Sequence, residues 1–369
     1  MKFLNLFNIF GILIYFTQLA NSKFNNNFLI RKNISSKRII SCILPNFSYN
    51  SIKITSKSSK IILKNTPKLI DILRLPKLNL SKINSFLKLI RYNNILPTIL
   101  LFFSGGYIMN PSIFKLLSST KFIISLINTI LVMSNSMIIN DIFDIEVDKT
   151  NNPNRPLASG EISKKIAVLY AFILFGLCQY LNFKFLPNNI ILLINIAIFN
   201  TIIYTPYIKQ IPLIKNIFCA NIVAFSIFFG GLASSEINIF DNKNIELLSI
   251  AIKLVFFGSL YNELLLDLSD YDGDLKNNIQ TIPVLYGEDF TWILACGILN
   301  FNILYNAISL SYLYNYKIGI VILFIGSLFF KNLESISYNN YSKNIIKNTV
   351  KESNKPLFFA LIYLCALSK

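Results

Sequence analysis

The chain has no histidine among its 369 residues, and only 14% of those residues are charged. The absence of histidine excludes every mechanism that needs an imidazole base or a histidine metal ligand. A soluble domain has roughly a quarter of its residues charged, whereas 53% of this sequence is hydrophobic. A soluble fold of this length could not cover its surface with so few charges, so the composition predicts a polytopic membrane protein.

Acidic residues are absent from the first 70 positions, which carry eleven basic residues. Residues 1–22 combine a basic start, an apolar stretch and a small-residue cleavage site, a pattern typical of a secretory signal peptide. Residues 23–70 are basic and rich in Ser and Asn, as transit peptides are. This order resembles the bipartite leaders of plastids bounded by extra membranes, and it predicts a plastid membrane location. The alternatives are the mitochondrial inner membrane, or an endomembrane protein with a basic tail.

Long apolar segments alternate with short polar ones over residues 80–369, which we predict to be the transmembrane domain. A bilayer admits only helices or closed barrels, and the nearly continuous apolar run Ile190–Ile203 lacks the alternation of a barrel strand. The predicted fold class is therefore all-α, a polytopic membrane bundle of about nine transmembrane helices. The predicted spans are about 95–110, 121–140, 166–183, 188–206, 212–234, 248–266, 291–313, 317–333 and 356–368.

Half of the eighteen acidic residues fall in two short windows, 141–148 and 263–274. Each window lies at the end of an even-numbered predicted span, so we expect both at the same membrane face, which the basic loops mark as the cytosol-like side. Each window contains three aspartates at the spacing i, i+3, i+7. They are Asp141, Asp144 and Asp148 in the first, and Asp267, Asp270 and Asp274 in the second.

The repeated spacing predicts that each set of three carboxylates stacks on one helical stripe. Like charges that close repel each other and are costly at a membrane boundary, so a cation is expected between the two stripes. Oxygen-only ligands suit Mg²⁺ or Mn²⁺, and Mg²⁺ prefers a few carboxylates together with substrate phosphates. A simple acidic loop in water would not be expected to repeat this spacing. The six aspartates therefore predict a metal-bridged diphosphate site.

Two longer motifs contain these aspartates. The first begins at Asn140 and reads NDxxDxxxDxxNxPxRPLxSG; the second begins at Asp267 and reads DxxDxxGD, followed by TxPxxxG. In this order they resemble the UbiA superfamily of intramembrane prenyltransferases, over roughly residues 85–368. The resemblance implies helices around a central cavity capped by loops, and an allylic polyprenyl diphosphate held through Mg²⁺. The six aspartates would then be both catalytic and metal-binding residues.

Four further residues are candidates for substrate binding. Arg155 offers a planar fork that suits phosphate oxygens. The resemblance adds Asn140, Tyr204 and Lys209, of which Lys209 would contact the diphosphate, although a lysine there would by itself indicate a positive-inside anchor. Many relatives carry a lysine where this chain has Leu266, and a glycine where it has Asn278.

The predicted function is a Mg-dependent prenyl transfer from the allylic diphosphate to an aromatic, tetrapyrrole or lipid-alcohol acceptor. Residues 155–161 resemble homogentisate prenyltransferases, whereas residues 267–287 look more like geranylgeranylglycerol-phosphate and chlorophyll-type enzymes. The seven positions from Asp148 to Arg155 are too few for the longer loop of the 4-hydroxybenzoate branch. A polytopic transporter and a catalytically inactive scaffold are the alternatives, and no nucleic-acid partner is expected.

Overall fold

The computed structural model describes residues 80–234 and 242–368, and every regular element in this part of the chain is helical. The prediction of an all-α fold is therefore confirmed. The predicted signal peptide over residues 1–22 and transit peptide over residues 23–70 lie outside the described residues, so both stay predictions.

Fifteen α-helices make up the described part of the chain, with short 3-10 turns at Tyr92–Asn94, Ile208–Gln210 and Leu328–Asn332. The α-helices are α1 (Leu80–Leu89), α2 (Ile95–Met109), α3 (Ile113–Ser118), α4 (Thr120–Phe143), α5 (Ile145–Asn151), α6 (Lys164–Phe185), α7 (Asn188–Tyr204), α8 (Ile214–Ser234), α9 (Asn242–Ser269), α10 (Tyr271–Lys276), α11 (Ile282–Tyr286), α12 (Glu288–Leu313), α13 (Tyr316–Ser327), α14 (Glu334–Tyr338) and α15 (Lys343–Leu367).

Five of the described helices are long and apolar enough to cross a bilayer: α4, α6, α8, α9 and α12. A sixth span results if α1 and α2, which meet at a 52° bend, are counted as one. Helices α7 and α13 are apolar but shorter, and α15 contains Pro356 at the start of its apolar half. Every predicted span overlaps a helix, but the count of nine is not confirmed.

Helix α9 forms the centre of the larger core, where it packs against α8, α12 and α15. Tyr261 of α9 is fully buried there. A second core joins α2, α4 and α8 through Phe102, whose ring centroid lies 5.0 Å from that of Phe122 and 5.7 Å from that of Phe229. Large apolar side chains such as Phe324 are exposed on the outside of the bundle, where a membrane helix faces lipid.

Two glycines allow α2 and α8 to pack backbone against backbone. A Cβ atom on Gly230 would lie 1.9 Å from the carbonyl oxygen of Phe102, and one on Gly105 would lie 1.8 Å from that of Ile227. Small residues commonly permit such close approach between membrane helices, since association in lipid depends on packing. These glycines therefore fix the separation of two helices that line the interior.

Gly230→Ala should lower the thermal unfolding temperature of the detergent-solubilised protein, because the added methyl group must push two backbones apart. Overpacking of this kind costs about 1–3 kcal/mol. Gly176→Ala, in the interior of α6, is the matched control, because a Cβ atom there meets nothing within 4 Å. Equal unfolding temperatures for the two variants would contradict this account of the α2–α8 contact.

Candidate active site

Both acidic windows bend at their middle aspartate. Asp144 separates α4 from α5 with φ −93° and ψ 8°, and Asp270 separates α9 from α10 with φ −103° and ψ 8°. The prediction of three carboxylates on one uninterrupted helix is therefore wrong: each set is divided between a long helix and a short one. The middle carboxylate of each set therefore lies at the junction between the two helices.

The structure brings the two windows together at one end of the bundle. The Asn151 side-chain amide donates a hydrogen bond to Asp274 Oδ1 at 3.2 Å. Gly273 makes this approach possible, since a Cβ atom there would lie 1.4 Å from Asn151 Oδ1. Lys343 of α15 joins the same place, with Nζ 3.1 Å from Asp270 Oδ1 and 3.2 Å from the Asn151 carbonyl oxygen. We call the six aspartates of both windows the acidic cluster.

Two arginines neutralise the first window. Arg155 Nη1 lies 2.6 Å from Asp148 Oδ2 and 3.3 Å from Asp141 Oδ1. Arg91 Nη2 lies 2.9 Å from the same Asp141 oxygen. Arg91 has a left-handed backbone, φ +50°, at the bend between α1 and α2. The two guanidinium groups therefore attach the α1–α2 bend and the loop after α5 to the end of α4.

Lys209 completes the neutralisation of the first window. Its ammonium group forms an ion pair with Asp144 and lies 3.5 Å from Asn140 Oδ1. Tyr204 takes a different place: it accepts a hydrogen bond from the Cys219 thiol at 3.0 Å and is largely buried beside it. The structure therefore brings Asn140, Arg155 and Lys209 to the acidic cluster, and sets Tyr204 deeper in the bundle.

Helix α8 provides the partners of Asp267. Lys215 Nζ lies 2.7 Å from Asp267 Oδ1, and the Asn216 amide donates to Asp267 Oδ2 at 2.9 Å. Both α8 side chains are buried. Leu266, where many relatives carry a lysine, therefore does not leave Asp267 without a cation, because Lys215 provides one from the neighbouring helix.

The sequence-based prediction of site residues missed four partners of the acidic cluster: Arg91, Lys215, Asn216 and Lys343. The three cations belong to the basic face that the loops define, but nothing in the sequence separates them from ordinary positive-inside residues. A usable signal exists for Lys215, since a lysine inside the first turn of an apolar helix on that face needs a nearby acid.

The carboxylates of the two short helices are held in a poorly hydrated environment. Burial raises the pKa of Asp148, against the opposing effect of Arg155. Burial also raises the pKa of Asp274 to about 6, and the charge of Lys215 opposes this rise. Ionised carboxylates persist in such a place only with cationic or hydrogen-bonding partners. Each aspartate of the cluster has one.

The donor set fits a hard divalent cation. All six groups are carboxylates, and Mg²⁺ binds through one or two carboxylates together with substrate phosphates rather than in an all-protein cage. In the described residues no three carboxylates come close enough to hold a metal by themselves, because arginine and lysine side chains stand between them. The arrangement suits a cation that binds together with an anionic diphosphate.

Asn278, the other departure from many relatives, has a structural explanation. It ends α10 in the left-handed region at φ +53°. The amides of Asn278 and Ile279 donate to the carbonyl oxygens of Leu275 and Asp274, at 3.3 and 2.9 Å. This is a Schellman ending, which glycine favours and asparagine tolerates. The turn after the second window is therefore preserved.

A cavity of about 390 Å³ lies inside the bundle, lined by α2, α4, α7, α8, α9 and α15. Its wall includes Leu266, next to Asp267, and Asn94, three residues after Arg91. Most of the remaining wall is apolar, for example Met133, Phe225 and Leu357. The cavity thus begins beside the acidic cluster and has the lining that a hydrocarbon chain requires.

Comparison with known proteins identifies the family. The model of the UbiA prenyltransferase family matches residues 97–350. The digeranylgeranylglyceryl phosphate synthase of Sulfolobus acidocaldarius is 32% identical over 219 residues, which cover 59% of this chain and 74% of that one. The enzyme of the same name from Methanobrevibacter smithii is 25% identical over 277 residues, which cover 70% and 92%.

Solved structures agree on the fold. A structure described as that of digeranylgeranylglyceryl phosphate synthase in membranes has a TM-score of 0.57 at 22% identity, and covers 78% of this chain and 99% of its own. A UbiA homolog from Archaeoglobus fulgidus, bound to GPP and Mg²⁺, has a TM-score of 0.55 at 19% identity, with 75% and 99% covered.

The chain belongs to the UbiA prenyltransferase family. It is therefore a multi-pass membrane prenyltransferase, as the two motifs predicted.

Asp144→Asn and Asp270→Asn should each lower kcat for prenyl transfer on the order of a hundredfold, as the loss of a transition-state contact does. The measurement is release of diphosphate from geranylgeranyl diphosphate with an acceptor present. Glu146→Gln and Asp272→Asn are the matched controls, because these neighbouring carboxylates are exposed. If all four variants had equal activity, the assignment of the acidic cluster would be wrong.

Proposed function

We propose that this enzyme moves a geranylgeranyl-type group from its allylic diphosphate to the free hydroxyl of a glyceryl phosphate lipid, with Mg²⁺ or Mn²⁺ as cofactor. The names of the relatives suggest the acceptor. The observation that carries the proposal is a pair of lysines on α15: Lys343, which pairs with Asp270 of the acidic cluster, and Lys347, which lies near both of them.

The cations of the cluster are suited to hold the diphosphate. The charged groups of Arg155 and Lys209 lie against carboxylates of the first window. The ammonium group of Lys215 lies against Asp267 of the second window. Such groups donate strong charge-assisted hydrogen bonds to phosphate oxygens. A divalent cation, when bound there, supplies further positive charge to the leaving diphosphate. All six aspartates would then act as metal-binding and catalytic residues.

The cavity is suited to the rest of the reaction. The C1–O bond of the allylic diphosphate breaks and its electron pair leaves with the diphosphate. A hydroxyl oxygen of the acceptor then forms the new C–O bond to C1 and loses its proton. The apolar wall around Met133 and Phe225 would hold the prenyl tail and exclude the water that would otherwise capture the allylic cation.

Lys347 supports an acceptor with an anionic head group. Its side chain is half-buried, and no carboxylate in the described residues forms an ion pair with it. Burial and the neighbouring charge of Lys343 lower the pKa of Lys347. A cation in this position gains a partner when an anion binds. The phosphate of a glyceryl phosphate lipid provides that anion while the lipid chain remains in the bilayer.

The segment that resembles homogentisate prenyltransferases has a local structural role instead. Its last residue, Glu161, accepts a hydrogen bond from Ser85 Oγ at 2.7 Å and pairs with Lys88 of α1 at 3.3 Å. These contacts fasten the loop after α5 to α1. The segment therefore gives no independent support to an aromatic acceptor.

The compartment in which the reaction occurs is a further part of the proposal. The leader over residues 1–70 favours a plastid membrane, because it joins a signal-type and a transit-type segment. An acceptor with a lipid tail resides in a bilayer, so a membrane location is compatible with the proposed chemistry.

Purified full-length protein in lipid nanodiscs, given geranylgeranyl diphosphate and Mg²⁺, should prenylate geranylgeranylglyceryl phosphate. Homogentisate, chlorophyllide and 4-hydroxybenzoate serve as competing acceptors in separate reactions. Product detected by mass spectrometry should disappear when EDTA is added and return with excess Mg²⁺ or Mn²⁺. Prenylation of homogentisate or chlorophyllide, with none of the glyceryl phosphate, would overturn the proposed acceptor.

Lys347→Ala should raise KM for the glyceryl phosphate acceptor about tenfold, because one hydrogen bond between charged groups is worth about 1.5–3 kcal/mol. KM for geranylgeranyl diphosphate should stay within about twofold. Lys351→Ala is the matched control, since Lys351 lies one turn further along α15 and is exposed. A rise in KM for the diphosphate substrate alone would contradict this assignment, because Lys347 would then bind the diphosphate and not the acceptor.

A further inference from the structure

Among the described residues that line the central cavity, Glu263 is the one with an ionisable side chain. The rest of the wall consists of apolar residues and of neutral polar ones such as Asn128, Ser226 and Ser259. Glu263 precedes Asp267 by four residues on α9, so the two carboxylates share one face of the helix a turn apart. Glu263 is the deeper of the two and separates the acidic cluster from the apolar interior.

The Glu263 side chain lies deep in the bundle, yet part of its surface is exposed, because that part faces the cavity. Lys215 and Asp267 interact electrostatically with it, and the Cys219 thiol lies against it. The close ion pair of Lys215, however, is with Asp267 at 2.7 Å. No arginine or lysine of the described chain forms an ion pair with Glu263.

A carboxyl group at this depth in a membrane protein is costly and indicates a function. Transfer to a hydroxyl releases one proton, which must go to a base near C1. The aspartates of the acidic cluster are engaged by cations or amides, for example Asp141 by two arginines. Glu263 is free of such an ion pair and faces the space where the prenyl chain and the acceptor would meet.

We propose that Glu263 is the general base that takes the proton of the acceptor hydroxyl. The hydroxyl oxygen gives a lone pair to C1, the O–H electron pair returns to that oxygen, and the proton moves to Glu263. The diphosphate has already left with the electron pair of the C1–O bond, so charge and atoms balance. After the ether product leaves, the carboxyl returns its proton to water at the acidic-cluster end. This inference rests on the proposed function, since it needs a hydroxyl acceptor.

The test uses Glu263→Gln in the full-length protein, with Glu246→Gln as matched control, because Glu246 is exposed near the other end of the same helix. Glu263→Gln should lower kcat for transfer to geranylgeranylglyceryl phosphate by about a hundredfold or more, the usual contribution of a general base. The dissociation constant for geranylgeranyl diphosphate should change by less than about twofold. Glu246→Gln should match the wild type in both measurements.

The outcomes separate this inference from the proposed function. A wild-type enzyme that transfers to no hydroxyl acceptor overturns the proposed function, and this inference with it. A wild-type enzyme that transfers normally while Glu263→Gln equals it overturns the inference alone. Loss of diphosphate binding in Glu263→Gln also overturns it, because Glu263 would then belong to the diphosphate site.

A second variant covers the case in which Glu263→Gln does not fold. Glu263→Asp keeps the carboxylate on a side chain that is shorter by one methylene group. The base then lies too far from the acceptor hydroxyl for efficient proton transfer. It should bind geranylgeranyl diphosphate normally and transfer more slowly by about tenfold, a rate between those of wild type and the glutamine variant. A wild-type rate for Glu263→Asp would contradict a general base at this position.

Discussion

The structure depends on one electrostatic constraint, which is that six carboxylates must lie together at the edge of a low-dielectric membrane interior. Such groups are stable only with compensating charge and hydrogen bonds. The chain meets this requirement with cations from separate elements: Arg91 at the α1–α2 bend, Arg155 in the loop after α5, Lys215 at the start of α8 and Lys343 on α15. The charges of the carboxylates are therefore neutralised only when these elements pack together in the bundle.

Because the partners come from so many elements, the packing of distant helices determines the site. Gly273 lets α10 approach Asn151 of α5, and Gly230 lets α8 approach α2. Helix α8 in turn carries Lys215 and Asn216 to Asp267. A methyl group at Gly273 would displace Asn151, which donates a hydrogen bond to Asp274. Apolar packing and the electrostatics of the cluster are thus coupled.

The sequence predicted the fold class and both acidic windows, because low charge and repeated aspartate spacing are local features. It did not predict the helix breaks at Asp144 and Asp270, since the spacing i, i+3, i+7 fits one continuous helix equally well. The count of nine spans stays unconfirmed, because α7 and α13 are apolar but shorter than the helices that are long enough to cross a bilayer by themselves. Lys215 and Lys343 were missed because their role depends on a neighbour that is distant in sequence.

The pair formed by Lys215 and Asp267 shows how the site obtains its positive charge. The residue before Asp267 along the chain is Leu266, so the cation comes from α8 instead, at 2.7 Å from the carboxylate. Leu266 has a consequence for the cavity, because it adds an apolar surface to the wall beside Glu263. Leu266 thus separates a charged mouth, where the diphosphate would bind, from an interior in which Glu263 is the one ionisable group that the described residues place on the wall. A base in that setting acts on the substrate's proton rather than on the diphosphate.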